Sequence, residues 1–155
     1  MSSKAELSQK DIDRPLNPRG KRDAPFMAAK LRAFGVKPDV IITSPANRAM
    51  TTATHFAKAL DILPQNMLQE SRIYEAYATT VLQIIQAQPN NYETILIFGH
   101  NPAFTMIANM FKGGDHIDNV PTCGISKIES KATTWKELSP DNGKLTEFYY
   151  PKQYF

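Results

Sequence analysis

The sequence predicts an α/β fold with three layers, in which a mostly parallel sheet ends in an antiparallel part. Residues 39–43 and 94–98 are short apolar runs that are typical of buried strands. Each run is followed by a segment in which apolar residues recur at helical spacing. The strand candidates near the end of the chain follow one another without a helix between them, which favours an antiparallel end.

Composition favours one ordinary domain over residues 1–155, because 42% of the residues are hydrophobic. The net charge of +3 is small, and the Lys and Arg residues are not interleaved with aromatic residues, so we expect no nucleic-acid partner. No apolar run is long enough to span a bilayer, and residues 1–9 have no signal-peptide core. We therefore expect a cytoplasmic protein with no membrane partner. The single Cys123 excludes an internal disulfide framework.

The first half of the chain is predicted to contain two helices and one strand. An exposed loop reaches residue 16, and a helix begins at Asn17-Pro18 and ends before Gly35. The strand at residues 39–43 leads into a helix that starts at Ser44-Pro45. Residues 61–75 are predicted to be a loop.

The second half begins with a helix from Ala78 that ends near Pro89, followed by the strand at residues 94–98. Gly99 allows a sharp turn, and a helix then runs from Pro102 to Phe111. The tail holds three strand candidates, at residues 124–129, 133–138 and 145–150. The turn at residues 140–143 predicts a hairpin between the last two.

A capping residue precedes a proline three times, at Asn17-Pro18, Ser44-Pro45 and Asn101-Pro102. The second and third pairs follow predicted strands, and parallel strands would bring those helix starts to the same edge of the sheet. Free backbone N–H groups at helix starts favour anions. The alternative is ordinary helix punctuation without a ligand.

Two candidate ligand-binding residues stand close to these helix starts. Arg48 lies in the first turn of its predicted helix, where it opposes the helix dipole unless an anion binds there. A solvated surface arginine is the alternative. His100 follows the strand at residues 94–98 and could be a core, binding or catalytic histidine. A metal role is not expected, because His55 and His116 give no ligand spacing.

Two further residues are weaker candidates. Glu75 stands at a loop-to-helix junction and could be a general acid, although exposed glutamates are common. Thr122 precedes a predicted strand and could offer a hydroxyl group. Cys123 has no basic neighbour in sequence, so we do not expect a reactive thiol. The chain has no glycine-rich phosphate loop and no Gly-x-Ser-x-Gly motif.

Several segments together resemble the histidine phosphatase superfamily, and within it the small SixA-type phosphohistidine phosphatases. The matching segments are residues 13–25, residues 39–49, Tyr74-Glu75-Ala76, Gly99-His100-Asn101-Pro102, residues 120–124, residues 135–138 and residues 149–152. The resemblance implies a phosphoglycerate-mutase-like α/β/α fold. It also implies a phosphatase without metal or cofactor, which acts on a protein phosphohistidine or a small phosphomonoester through a phosphohistidine intermediate.

The resemblance assigns roles to two of the candidate residues, and we expect the other candidates to act beside them. Arg48 and His100 would hold the transferring phosphoryl group, and Glu75 would be an acid or base. Asn17, Arg19 and Thr122 would join the phosphate site, although Arg19 could equally be a surface residue.

The sequence departs from the family at the nucleophile. The family places it in an Arg-His motif at the end of its first, internal strand, and the 155 residues contain no Arg-His pair. We therefore expect this chain to lack that first strand, to be inactive or nearly so, and to be marginally stable. A late start site or a truncated sequence is our preferred explanation. The alternatives are a pseudophosphatase that binds phosphate or phosphohistidine without turnover, and a structural α/β domain without a ligand.

Overall fold

The computed structural model describes residues 11–111, 113 and 115–155, and within them four complete α-helices and five strands, besides a helical segment at residues 11–13. In chain order these are α1 (Pro18–Ala33), β1 (Val40–Thr43), α2 (Asn47–Ala59), β2 (Met67–Gln69), α3 (Ala78–Gln86), β3 (Ile95–Phe98), α4 (Ala103–Phe111), β4 (Ile125–Ser130) and β5 (Gly143–Tyr149). Short 3₁₀ helices occupy Pro64–Asn66, Ser71–Ile73, Trp135–Glu137 and Pro151–Gln153. None of the described helices is long and apolar enough to cross a membrane.

The described residues form two compact units. The first contains residues 11–74 and 94–99, and the second contains residues 75–93 and 100–155 apart from the two positions left undescribed. The expectation of a single domain over residues 1–155 stays a prediction.

The first unit is a parallel three-stranded sheet, in the order β2-β1-β3, with α1 and α2 packed against each other. All four residues of β1 are buried, as expected for a central strand. In α1 the apolar residues at helical spacing are buried, namely Ala24, Met27, Ala28 and Leu31. Phe34 follows the end of the helix at Ala33 and is 48% exposed.

The second unit contains α3 and α4 together with a two-stranded antiparallel sheet of β4 and β5. Ile125 lies opposite Tyr149 at one end of this sheet, and Ser130 lies opposite Gly143 at the other. The register shifts between Lys127 and Ile128. The mixture of helices, a parallel sheet and an antiparallel pair confirms the predicted α/β class.

Two predictions about strands were wrong. Residues 133–138 do not form a strand; Trp135–Glu137 is a 3₁₀ helix, and the Trp135 indole N–H donates to the Tyr92 carbonyl at 2.8 Å. The hairpin partner of β5 is therefore β4. The predicted loop at residues 61–75 contains β2, which is only three residues long and lacks a two-residue apolar alternation.

Three predictions about burial and helix ends also need correction. The strand at residues 94–98 was expected to be covered on both faces, yet every residue of β3 is half-buried, because among the described residues β3 pairs only with β1. The exposed loop was predicted over residues 1–16, of which residues 1–10 lie outside the described residues; residues 11–13 are helical and Leu16 is buried, so residues 11–16 are not simply an exposed loop. The helix expected at Ser44-Pro45 begins at Asn47.

Candidate functional site

The two strands that precede the candidate cations end side by side. Thr43 at the end of β1 lies opposite Phe98 at the end of β3, and the Ser44 N–H donates to the Phe98 carbonyl at 3.0 Å. The prediction that these parallel strands share one carboxyl edge is therefore confirmed. Carboxyl edges of parallel strands are the usual place for ligands in α/β proteins.

Arg48 lies in the first turn of α2, which begins four residues after β1 ends. Its side chain is only 22% exposed, so it is not a freely solvated arginine. Asp11 holds it through two contacts: one Nη donates to the Asp11 carbonyl at 2.8 Å, and the other lies 3.3 Å from the carboxylate. The first turn of α2 contains no acidic residue, so the negative charge that balances Arg48 comes from elsewhere in the chain.

The same carboxylate accepts a 2.6 Å hydrogen bond from the Tyr74 hydroxyl and lies 3.1 Å from the Arg14 guanidinium. The Tyr74 hydrogen bond is the largest cause that holds the pKa of the Asp11 carboxyl below its ordinary value. Burial, the next largest effect, opposes it, and the charges of Arg48 and Arg14 each lower this pKa by a smaller amount. Asp11 is therefore an ionised partner of Arg48 at neutral pH.

Asn17 and Arg19 lie at the start of α1. The Asn17 side-chain oxygen accepts from the Gly20 N–H at 2.8 Å, which confirms the predicted helix cap. Both residues are exposed. The role of Asn17 and Arg19 in a phosphate site stays a prediction.

Ser44 does not cap α2 in the predicted way. Its hydroxyl accepts from the Ala46 N–H at 3.2 Å, and Ala46, which precedes the helix, makes no side-chain cap. The buried Ser44 thus closes a turn between β1 and α2. That turn carries the chain from the sheet edge to Arg48.

The remaining candidates belong to the second unit. His100 is half-buried, and its carbonyl accepts from the Phe104 N–H at 3.2 Å in the first turn of α4. Glu75 is exposed and has a φ of 59°, a left-handed conformation that costs a non-glycine residue about 1 kcal/mol or more. Thr122 is exposed, in a turn closed by a 2.8 Å hydrogen bond from the Gly124 N–H to the Pro121 carbonyl.

Side chains of α4 and of the turn before it bind the segment that leads to Thr122. Asn101 donates to the Val120 carbonyl at 2.8 Å, and the Thr105 hydroxyl accepts from the Val120 N–H at 2.9 Å. Asn109 pairs with both backbone groups of Ile117, each at 2.8 Å. The His100 turn and the Thr122 turn are thus joined by hydrogen bonds.

Sequence reasoning did not find Asp11, Tyr74 or the second role of Asn101. Asp11 lay in a predicted loop, and its contact with Arg48 joins residues 37 positions apart. Asn101 was identified only as a helix cap, and it does accept from the Thr105 N–H at 3.0 Å. No local pattern predicts its contact with Val120. The described residues contain no cluster of three or more His, Cys, Asp or Glu side chains that could hold a metal ion.

Comparison with known proteins identifies the family. A profile of the histidine phosphatase superfamily (branch 1) matches residues 2–96. An uncharacterized protein of Mycobacterium tuberculosis (strain H37Rv) is 30% identical over 151 residues, which cover 92% of each chain. An uncharacterized protein of Mycobacterium leprae is 29% identical over 150 residues, which cover 92% of this chain and 89% of the relative.

Solved structures share the fold. A candidate phosphohistidine phosphatase SixA from Agrobacterium tumefaciens superposes with a TM-score of 0.77 at 23% identity, over 97% of this chain and 90% of the other. A protein histidine phosphatase SixA in complex with tungstate gives a TM-score of 0.75 at 21% identity, over 92% and 88% of the two chains. These likenesses confirm the predicted phosphoglycerate-mutase-like fold. The chain belongs to the histidine phosphatase superfamily.

Proposed function

We propose that this protein is a phosphatase of the metal-independent type, which acts on a protein phosphohistidine or a small phosphomonoester. The observation that carries the proposal is the position of Arg48. In a chain of this family, a guanidinium that is 22% exposed lies in the first turn of a helix that follows a central parallel strand. That position suits a phosphoryl group, because guanidinium and backbone N–H groups both donate hydrogen bonds to its oxygens.

In the proposed mechanism the phosphoryl group passes in line to a histidine and is then released to water. Arg48 and protonated His100 each donate to phosphoryl oxygens and neutralise the charge that these oxygens carry in the transition state. Asn17, Arg19 and Thr122 add further donors, and Glu75 supplies or accepts the proton on the leaving group or water. The proposed compartment is the cytoplasm.

The attacking histidine is not among these residues. Because the 155 residues contain no Arg-His pair, we propose that the chain as given binds the phosphoryl group and turns it over very slowly or not at all. The same observation favours a second candidate function. The protein would then be a module that recognises phosphate or phosphohistidine through Arg48 and His100 without hydrolysis.

Hydrolysis of p-nitrophenyl phosphate and of a phosphohistidine peptide tests both candidates. We expect no turnover by the chain as given. A version extended at its start by an apolar strand that ends in Arg-His should gain turnover if the protein is a phosphatase, and His100→Ala should abolish that gain. Substitution of the exposed His116 is the matched control. Binding that never becomes turnover would favour the module, and fast turnover by the unextended chain would contradict both.

A further inference from the structure

The strongest unexplained feature of the second unit is a closed hydrogen-bond network around the peptide groups of Val120. The Asn101 side chain donates to the Val120 carbonyl at 2.8 Å. The Thr105 hydroxyl accepts from the Val120 N–H at 2.9 Å and donates to the Asn101 side-chain oxygen at 2.8 Å. Both backbone groups of one residue are therefore held by two side chains that also bind each other. We call Asn101 and Thr105 the Val120 clamp.

Every side-chain O–H and N–H group of the clamp takes part in a hydrogen bond. The Thr105 hydroxyl has one proton, which it gives to Asn101, and a lone pair of its oxygen takes the Val120 proton. The Asn101 amide nitrogen has two protons, which go to Val120 and to the Asn119 side chain at 3.1 Å. A network in which each member fixes the orientation of the next holds its backbone partner more narrowly than a single contact does.

The clamp stands directly beside two candidate phosphate-binding residues. Asn101 follows His100 in the chain, and Val120 precedes Thr122 by two residues. Beyond Val120, the Pro121–Gly124 hydrogen bond closes the turn that carries Thr122, and β4 begins at Ile125. The exposed Thr122 therefore has an anchored segment on each side, and the earlier anchor is attached to the His100 turn.

We infer that Asn101 and Thr105 are positioning residues, which fix the Thr122 turn relative to His100 so that both can donate to the same phosphoryl group. This inference rests on the proposed function. A simple role in loop stability makes a different prediction, because loss of the clamp would then lower stability without acting through Thr122.

Orthophosphate and tungstate affinities, measured by calorimetry on the full chain, distinguish the two roles. Thr105→Val removes the hydroxyl and keeps the side-chain shape, and we expect it to weaken anion binding about fivefold. Thr105→Ser should restore binding. Thr54→Val is the matched control, because the exposed Thr54 hydroxyl donates only to the Met50 carbonyl within α2. Asn109→Ala, which releases Ile117, should lower the melting temperature and change affinity little.

A double-mutant cycle tests whether Thr105 acts through Thr122. In the Thr105→Val background, Thr122→Ala should cause almost no further loss of affinity, because Thr122 is already misplaced. Additive losses, or a Thr105→Val affinity equal to wild type, would overturn this inference alone. If the unmodified chain binds neither anion, or if Arg48→Ala binds as tightly as wild type, the proposed function fails and this inference fails with it.

Discussion

Arg48 and Asp11 are joined twice, once through the Asp11 carbonyl at 2.8 Å and once through its carboxylate at 3.3 Å. The contact with the backbone carbonyl does not depend on the charge of the carboxylate, whereas the ionic contact does. Asp11 therefore fixes where the guanidinium lies and, separately, balances its charge. Substitution of Asp11 should therefore act directly on Arg48, the residue that is most important to the proposed function.

Asp11→Asn should make folding stability less dependent on pH in the acidic range. The folded-state pKa of Asp11 is lowered, so its ionic contribution is present above the unfolded pKa of about 3.9 and is lost as pH falls through the folded value. The free energy of unfolding of the wild type should exceed that of the variant by no more than about 1 kcal/mol at pH 7, because the carboxylate is partly exposed. Urea unfolding from pH 7 to pH 2 measures the difference, which should shrink below pH 4.

Asp61→Asn is the control for that series, because Asp61 forms an ion pair with Arg32 between well-exposed side chains. It should change stability little at any pH. A constant gap between wild type and Asp11→Asn across the whole range would contradict the ionic role of Asp11.

Tyr74→Phe should raise the pKa of the Asp11 carboxyl. The Tyr74 hydroxyl makes the largest single contribution that lowers this pKa, through its 2.6 Å hydrogen bond to the ionised form. Carbon-detected NMR titration of the Asp11 carboxyl measures the change. Tyr77→Phe is the matched control, because the Tyr77 side chain is 80% exposed. Equal Asp11 titrations in the two variants would refute the assignment.

Gly124→Ala should destabilise the turn that carries Thr122. A Cβ at this position would lie 2.9 Å from the Pro121 carbonyl oxygen and 3.0 Å from Val120, so the backbone of the turn would have to shift. We expect a loss of about 1–3 kcal/mol in the free energy of unfolding. Gly113→Ala is the control, because its Cβ would meet no atom of the described residues within 4 Å. Similar melting temperatures for Gly124→Ala and wild type would show that the turn yields without strain.

The edge of β3 that pairs with no other described strand should promote self-association. β3 is an apolar strand whose residues are all half-buried, and among the described residues it pairs only with β1. Light scattering during slow heating should rise with protein concentration, and Ile97→Lys should suppress this rise because edge charges block strand pairing. Leu68→Lys, on the opposite edge strand β2, is the comparison. A monomer that unfolds reversibly at all concentrations would contradict this prediction and the expected marginal stability.

Local sequence patterns predicted the four helices from apolar residues at helical spacing beside a cap or a breaker, and the strands β1 and β3 from short apolar runs. They missed β2, whose three residues show no period and pair only through long-range contacts with β1. They also placed a strand at residues 133–138, where the Trp135 indole is instead held by Tyr92, 43 positions away. Tertiary contacts overrode local preference at both places.

The candidate site divides in the same way. Arg48, His100 and Asn17 could be proposed as candidates because they lie beside strand ends or helix starts. Asp11 and Tyr74 could not, because their hydrogen bond joins residues 63 positions apart. Likewise, the Asn101 cap was predictable from its proline neighbour. Its hydrogen bond to the Val120 carbonyl was not, because that contact depends on the folded structure and not on a short sequence pattern.

Calorimetric titration of the purified chain with orthophosphate or tungstate tests the central claim most directly. We predict saturable binding of one anion per chain, weakened at least about tenfold by Arg48→Ala because charge-assisted hydrogen bonds are lost. Arg72→Ala is the control, because the exposed Arg72 pairs with Glu70. Absence of anion binding, or equal affinities for wild type and Arg48→Ala, would contradict the account.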